Sequence, residues 1–304
     1  LFYAFRTTGF QGTSNSRLAL HVLLLLLTLY STTLVGAAMA AMFHRNQPLS
    51  FDLGVTILVS SWRHPAAWLG GLPYSVTLLT ILLAHEMGHY LACRYYRIDA
   101  TLPYFLPGPT VLGTFGAFIW IRSPIYTKRK LFDVGFAGPI AGFVVLIPAL
   151  AIGVALSNTS PGIASRGDFV FGTPLLLRFF EWVFLHGIPA ADINLHPMAR
   201  AAWGGLLATA LNLLPIGQLD GGHVLYSFFG EKHRWLSRIF TVALIPLGIV
   251  YHWWGWFLWA GVLFFLAQRH PVIVDDNKLG PERAALGALA LAMFILSFTA
   301  VPIS

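Results

Sequence analysis

Charged residues are scarce in this sequence: Asp, Glu, Lys and Arg make up 10% of its 304 residues, against about 25% in a soluble domain. That supply cannot cover a water-facing surface, so a soluble globular fold is excluded. Cysteine is scarcer still. The single Cys93 rules out an internal disulfide and any cysteine-based metal cage, and its apolar surroundings assign it to packing. Low-complexity tracts, long linkers and repeats of roughly 20–50 residues are also missing, so no solenoid is expected.

Apolar surface is what the sequence has instead. Hydrophobic residues account for 57% of it and its mean hydropathy is +0.70, which makes lipid the outer solvent for much of the chain. The expected fold is an all-α polytopic membrane protein with about six to seven transmembrane helices. Apolar runs place spans near 18–42, 72–93, 131–156 and 198–214, two short spans within 239–266, and a last one near 283–301. The third carries Gly135, Ala137, Gly138, Ala141 and Gly142, small residues that let helix backbones approach closely in lipid. Pro139 beside them is expected to kink that helix. The aromatic cluster of Tyr251, Trp253, Trp254 and Trp256 suits an interfacial belt. Three regions follow: an N-terminal span and outer loop over 1–70, a core over 71–230, and C-terminal spans over 231–304.

A net charge of +7 on a soluble chain would point to nucleic acid. Here the basic residues sit between apolar runs, where orientation and anionic headgroups account for them. The partners expected are therefore a lipid bilayer and a membrane substrate, with no nucleic acid. Arg6 and Arg17 precede the first span; Arg94, Arg97, Arg122 and Lys128 to Lys130 follow the second; Lys232, Arg234 and Arg238 follow the fourth; Arg269 and Lys278 follow the sixth. All four groups fall on one side by parity, taken as cytoplasmic. The segments near 43–71 and 158–197 then lie outside. The expected location is a bacterial cytoplasmic membrane or an organelle of bacterial descent.

Two of the connecting segments have structure of their own. Between the second and third spans, Gly113, Thr114, Phe115, Gly116, Ala117 and Phe118 begin a stretch to Ile121 rich in aromatic and β-branched residues. It reads as one or two short strands at the membrane, the alternative being an irregular loop packed on the helices. The stretch from Phe169 to His186 is apolar but carries Arg178 and Glu181, as an amphipathic interfacial helix or a partly inserted segment would.

Chemistry concentrates at the end of the second span. His85 and His89 are four apart and face one point on a helix, as two legs of a tetrahedral zinc site. Glu86, rotated by about 100°, is placed to take a proton from an attacking water and pass it to a leaving amine. Three ionisable groups in one turn of an apolar helix are costly unless partnered. A third ligand is needed, and Asp220 lies just past the fourth span, in the run from Asn212 to His223 that Pro215 interrupts. The other role open to Asp220 is to cap the next helix. The second and fourth spans run in the same direction, so all three side chains come to similar depth. His223 is read as a helix-terminal or solvated residue. His44, His64, His186 and His196 have no ligand spacing, His21 and His252 are read as interfacial, and Asp275-Asp276 as a solvated turn.

H-E-M-G-H from His85, followed by N-L-L-P-I-G-Q-L-D-G-G from Asn212, resembles the site-2 protease family of intramembrane zinc metalloproteases. Every fixed position of the family's HExxH and NxxPxxxLDG patterns is matched, over roughly 70–230. The resemblance implies one Zn2+ on His85, His89 and Asp220, Glu86 as acid/base, and Asn212 as a holder of the substrate or its oxyanion. It also implies that residues 113–118 pair with a substrate, a single-span or other transmembrane protein. The peptide-binding domain of about 90 residues that some members insert is not expected in the short segment between the third and fourth spans. A catalytically silent adaptor and a metal-ion transporter are the rival classes; a transporter would spread ionisable residues through successive depths.

Overall fold

The computed structural model describes residues 15–52, 54–56, 68–266, 273 and 278–304. Arg6, His64, Arg269 and the Asp275-Asp276 pair lie outside the described residues. Among the described residues, three helices are long and apolar enough to cross a membrane: α1 (Asn15–His44), α2 (Leu72–Tyr95) and α3 (Lys128–Ala155). The start of α2 follows from its first residues: Gly71 precedes the helix and Pro73 sits in the first turn, where the missing N–H costs nothing. α3 is capped by Thr127, whose Oγ1 accepts from Lys130 N at 3.4 Å, and it runs through both Pro139 and Pro148.

The fourth expected span is a 16-residue helix, α5 (Pro197–Asn212). At about 1.5 Å per residue it reaches roughly 24 Å, short of a ~30 Å hydrocarbon core. It does not need a lipid-facing length of apolar residues, because protein surrounds it: Ala199, Ala201, Ala202 and Leu206 are fully buried. Together α2, α3 and α5 form the centre of the molecule, with Tyr74, Leu78, Leu146, Leu150 and Leu206 in one core.

The segment between α2 and α3 forms a hairpin of β1 (Tyr104–Pro107) and β2 (Thr114–Phe118), paired antiparallel with Tyr104 opposite Phe118. The strand reading of 113–121 therefore holds for 114–118, while Gly113 lies in the turn at φ +79°. That turn is seated on α1, where Ser31 Oγ donates to Gly113 O at 2.7 Å. His21, read as interfacial, is buried instead: its Nδ1 is 3.0 Å from Pro103 O and its ring lies against Tyr104.

Beyond α3, β3 (Asn158–Thr159) pairs with β4 (Ile193–Asn194), and between them α4 (Leu175–Phe184) is amphipathic. Leu176, Leu177 and Glu181 face inward, while Leu175, Phe179 and Trp182 are exposed. After α5 the chain turns through Gly217 (φ +54°) into α6 (Asp220–Phe229), then α7 (His233–Val250), α8 (Gly255–Leu266) and α9 (Pro281–Ser297). The stretch 239–266, expected to hold two short spans, falls within two helices, α7 and α8, joined by a turn at Tyr251–Trp254. The interfacial-belt reading fails for Trp256, which is 1% exposed and donates from Nε1 to Ala300 O at 2.7 Å. Past α9 the chain is extended, and Ile303 bridges Phe171.

Candidate metal centre

His85, Glu86 and His89 project from the C-terminal half of α2 and are each 7% exposed or less. Asp220 opens α6, but it does not cap that helix: Leu219 is the N-cap and no side chain caps it. The glycines after Asp220 explain its placement. A Cβ on Gly221 would lie 2.7 Å from Leu214 O, and one on Gly222 would lie 2.8 Å from Ile216 O. Only glycine lets the start of α6 press on the carbonyls that Pro215 and Gly217 leave behind, and this contact aims Asp220 at α2.

The three side chains meet. Asp220 Oδ2 lies 3.1 Å from His85 Nε2 and 3.3 Å from His89 Nε2, and the two Nε2 atoms are 3.2 Å apart. Among the described residues this is the group of His, Cys, Asp and Glu donors placed to hold a metal. Its tautomer is fixed from behind: His89 Nδ1 is 2.7 Å from Val134 O. A carbonyl only accepts, so Nδ1 carries the proton and Nε2 presents a lone pair. Acceptors crowded to this extent around one point call for a cation. A tetrahedral zinc ion with ligands at about 2.0 Å sets them about 3.3 Å apart, and the observed triangle has those edges. The donor set, two imidazoles and one carboxylate without a thiolate, also fits Zn2+.

Around the triangle, Asn212 Nδ2 lies 3.2 Å from His85 Nε2. Glu86 is hydrogen-bonded to the backbone of Ile119, the residue after β2, so the hairpin and the acid/base candidate are in direct contact. Thr114 stiffens the hairpin, its Oγ1 donating to Leu106 O at 2.7 Å and accepting from Gly116 N at 2.9 Å. Among the described residues β2 pairs with β1 on one side only; Phe115 is 68% exposed and a Cβ on Gly116 would meet nothing within 4 Å. His223 is outside the donor group; its Cβ packs on Gly135 of α3.

The small residues of α3 have a sharper purpose than general helix packing. A Cβ on Gly142 would lie 3.1 Å from His85 Cβ, and one on Gly138 would fall on the His89 ring, 2.5 Å from Cε1. α3 therefore forms the wall against which both imidazoles are set. Val134 and Ile119 act through their backbones, and no side-chain pattern announces such a role. The glycine run was the one signal available, and its spacing against α2 needed the fold.

Comparison with known proteins agrees with this geometry. The family model for peptidase family M50 matches residues 73–253, which takes in α2 to α7 and every side chain of the triangle. The chain is 33% identical over 243 residues to "Probable zinc metalloprotease EGY1, chloroplastic" of Oryza sativa subsp. japonica, covering 76% of this chain and 41% of that protein. It is 33% identical over 242 residues to the protein of the same name in Arabidopsis thaliana (76% and 43%). It is 30% identical over 270 residues to "Probable zinc metalloprotease EGY2, chloroplastic" of Arabidopsis thaliana (85% and 46%). The chain thus spans less than half the length of these curated relatives. Their names are chloroplastic and lend no support to a bacterial cytoplasmic membrane. With the HExxH helix, the distant aspartate and the helices between them matched together, the chain belongs to peptidase family M50, the family of the site-2 proteases.

Proposed function

We propose that this chain is a zinc metalloprotease that hydrolyses peptide bonds within or near the transmembrane helices of membrane-protein substrates. The observation that carries the reading is the triangle of His85, His89 and Asp220, assembled from two separate helices with Glu86 alongside. In this reading His85, His89 and Asp220 hold one Zn2+ and leave it one further position. When bound, the ion supplies Lewis-acid polarisation and makes water a nucleophile at neutral pH.

The chain's own residues do the rest. Glu86 accepts a proton as water adds to the scissile carbonyl carbon, then delivers it to the nitrogen as the C–N bond breaks. Asn212 Nδ2 donates to the developing oxyanion. A helical substrate hides its carbonyls in its own hydrogen bonds, so it must unwind, and new partners must replace those bonds in a water-poor site. The free edge of β2 at residues 114–118, with Gly113 in the turn before it, supplies them by β-augmentation, next to Glu86 because Ile119, which follows the strand, hydrogen-bonds it. Seven crossings, with α7 and α8 as a short pair, put the metal end on the Lys/Arg-rich side. Residues 71–230 act as the catalytic core, and the bilayer is one of the chloroplast, the compartment that the relatives' names state.

The test compares Glu86→Gln with wild type on a single-span reporter in proteoliposomes, with zinc measured by plasma mass spectrometry. Zinc retained and cleavage lost supports the reading. Equal cleavage by both removes Glu86 from the chemistry, and zinc flux into vesicles without cleavage by wild type would identify a transporter.

A further inference from the structure

A cavity of about 640 Å³ lies on the side of the molecule away from the metal triangle, within the ~300–1,000 Å³ that small-molecule sites occupy. It is lined by Arg200, in the first turns of α5, whereas Asn212 at the metal site ends the same helix. Twelve residues of helix separate the two by about 18 Å. Most of the wall is apolar, including Leu49, Phe169, Phe171, Ile193 and Val301.

Into this wall is set a cation with no ion-pair partner among the described residues. Arg200 is 4% exposed, and its Nη2 donates to Asn194 Oδ1 at 2.9 Å. Its Nη1 is buried without a hydrogen-bond partner, and no described carboxylate forms an ion pair with it. Glu181 also lines the cavity, but burial pushes its carboxyl up to about 7, so at neutral pH it is partly protonated. A buried, unpaired guanidinium in an apolar setting is costly and marks a ligand site.

The exposed face of α4 says where the ligand comes from. Leu175, Phe179 and Trp182 are 50%, 52% and 66% exposed along one stripe, and Leu175 also lines the cavity. An amphipathic helix of this kind lies in the headgroup region, so the cavity sits beside lipid. We propose that this cavity binds an anionic amphiphile, with the acyl chain against the aromatic and aliphatic wall and a carboxylate or phosphate head on Arg200.

The full chain in nanodiscs, photolabelled with a diazirine-bearing undecanoate, tests this. Saturable labelling is expected within residues 169–178 or 298–304, displaced by excess decanoate and not by decanol. Arg200→Met should cut labelling at least tenfold, while Arg45→Met, at an exposed residue outside the cavity lining, should stay within twofold of wild type. Displacement by decyl phosphate as well marks a phospholipid-type head as acceptable; displacement by decanoate alone selects a free fatty acid. Zinc content reports folding. Should Arg200→Met lose zinc, Val301→Trp fills the cavity with Arg200 intact and must likewise abolish labelling. Undiminished labelling in whichever of these variants keeps its zinc, competition by decanol equal to that by decanoate, or labelling spread over the lipid-facing helices would overturn the proposal.

Discussion

Gly138→Ala is the smallest change that tests how α3 sets the metal ligands. At an ordinary interior helix position this substitution stabilises by roughly 0.5–1 kcal/mol. Here the new methyl would lie 2.5 Å from His89 Cε1 and nearer still to Nε2 and Cδ2. Carbon contacts are comfortable at about 3.5 Å or more, so the ring or the helix must retreat by about 1 Å. Metal–ligand distances tolerate about 0.2 Å, so His89 cannot move that far and still share an ion with His85 and Asp220. Overpacking of this kind costs about 1–3 kcal/mol. Disturbing what orients a ligand lowers metal affinity by about 10–100-fold. The assay is zinc per protein across a series of buffered free-zinc concentrations, with helicity and thermal unfolding in detergent measured alongside. Gly261→Ala, inside α8 where a Cβ meets nothing within 4 Å, is the control and should leave zinc affinity unchanged, with thermal unfolding at or slightly above wild type. Wild-type zinc affinity in Gly138→Ala would refute the packing argument.

Other expected outcomes follow from single contacts. Arg283 grips Asp133 in two places, Nε to Oδ1 at 2.9 Å and Nη2 to Oδ2 at 2.7 Å, joining α9 to α3. Arg283→Met should cost about 2–4 kcal/mol in detergent unfolding, and a shift below about 0.5 kcal/mol would show the pair to be idle. Asn212→Ala should lower kcat by about 100-fold with zinc stoichiometry unchanged; loss of zinc instead would make Asn212 part of ligand placement. Trp256→Phe removes the bond to Ala300 and should destabilise by about 1 kcal/mol, read as a lowered Tm with zinc binding intact. Stripping the metal with a chelator should end cleavage of a membrane reporter, and added zinc should restore it; cleavage that survives with no metal bound would contradict the proposed chemistry.

Gly116→Pro would be a natural probe of the strand edge, but the structure makes it a poor one. Gly116 has φ +106°, which proline cannot adopt, so loss of activity would report a broken hairpin and say nothing about substrate pairing. Phe115, exposed on the same strand, is the better position: Phe115→Ala leaves the backbone edge intact and should raise KM with little change in zinc content.

The sequence by itself determined the apolar character of this protein and marked the candidates for its metal donors. Ten per cent charge cannot clothe a water-soluble surface, and HExxH on an apolar helix aligns two imidazoles through helical periodicity alone, a local rule. Asp220 was legible as a candidate because a lone carboxylate beside Pro215, Gly221 and Gly222 has few other uses. Whether it capped a helix or faced α2 was a question about two chain segments far apart, and only their packing answered it. The same limit hid the roles of Val134 and Ile119, which act through backbone groups that every residue carries. It also hid the burial of His21 and Trp256, whose amphipathic side chains suit an interface equally well until neighbouring elements close over them. Arg200 shows this most plainly. In sequence it is one arginine near a helix start; only the tertiary structure encloses it in an apolar cavity with one nitrogen unpaired.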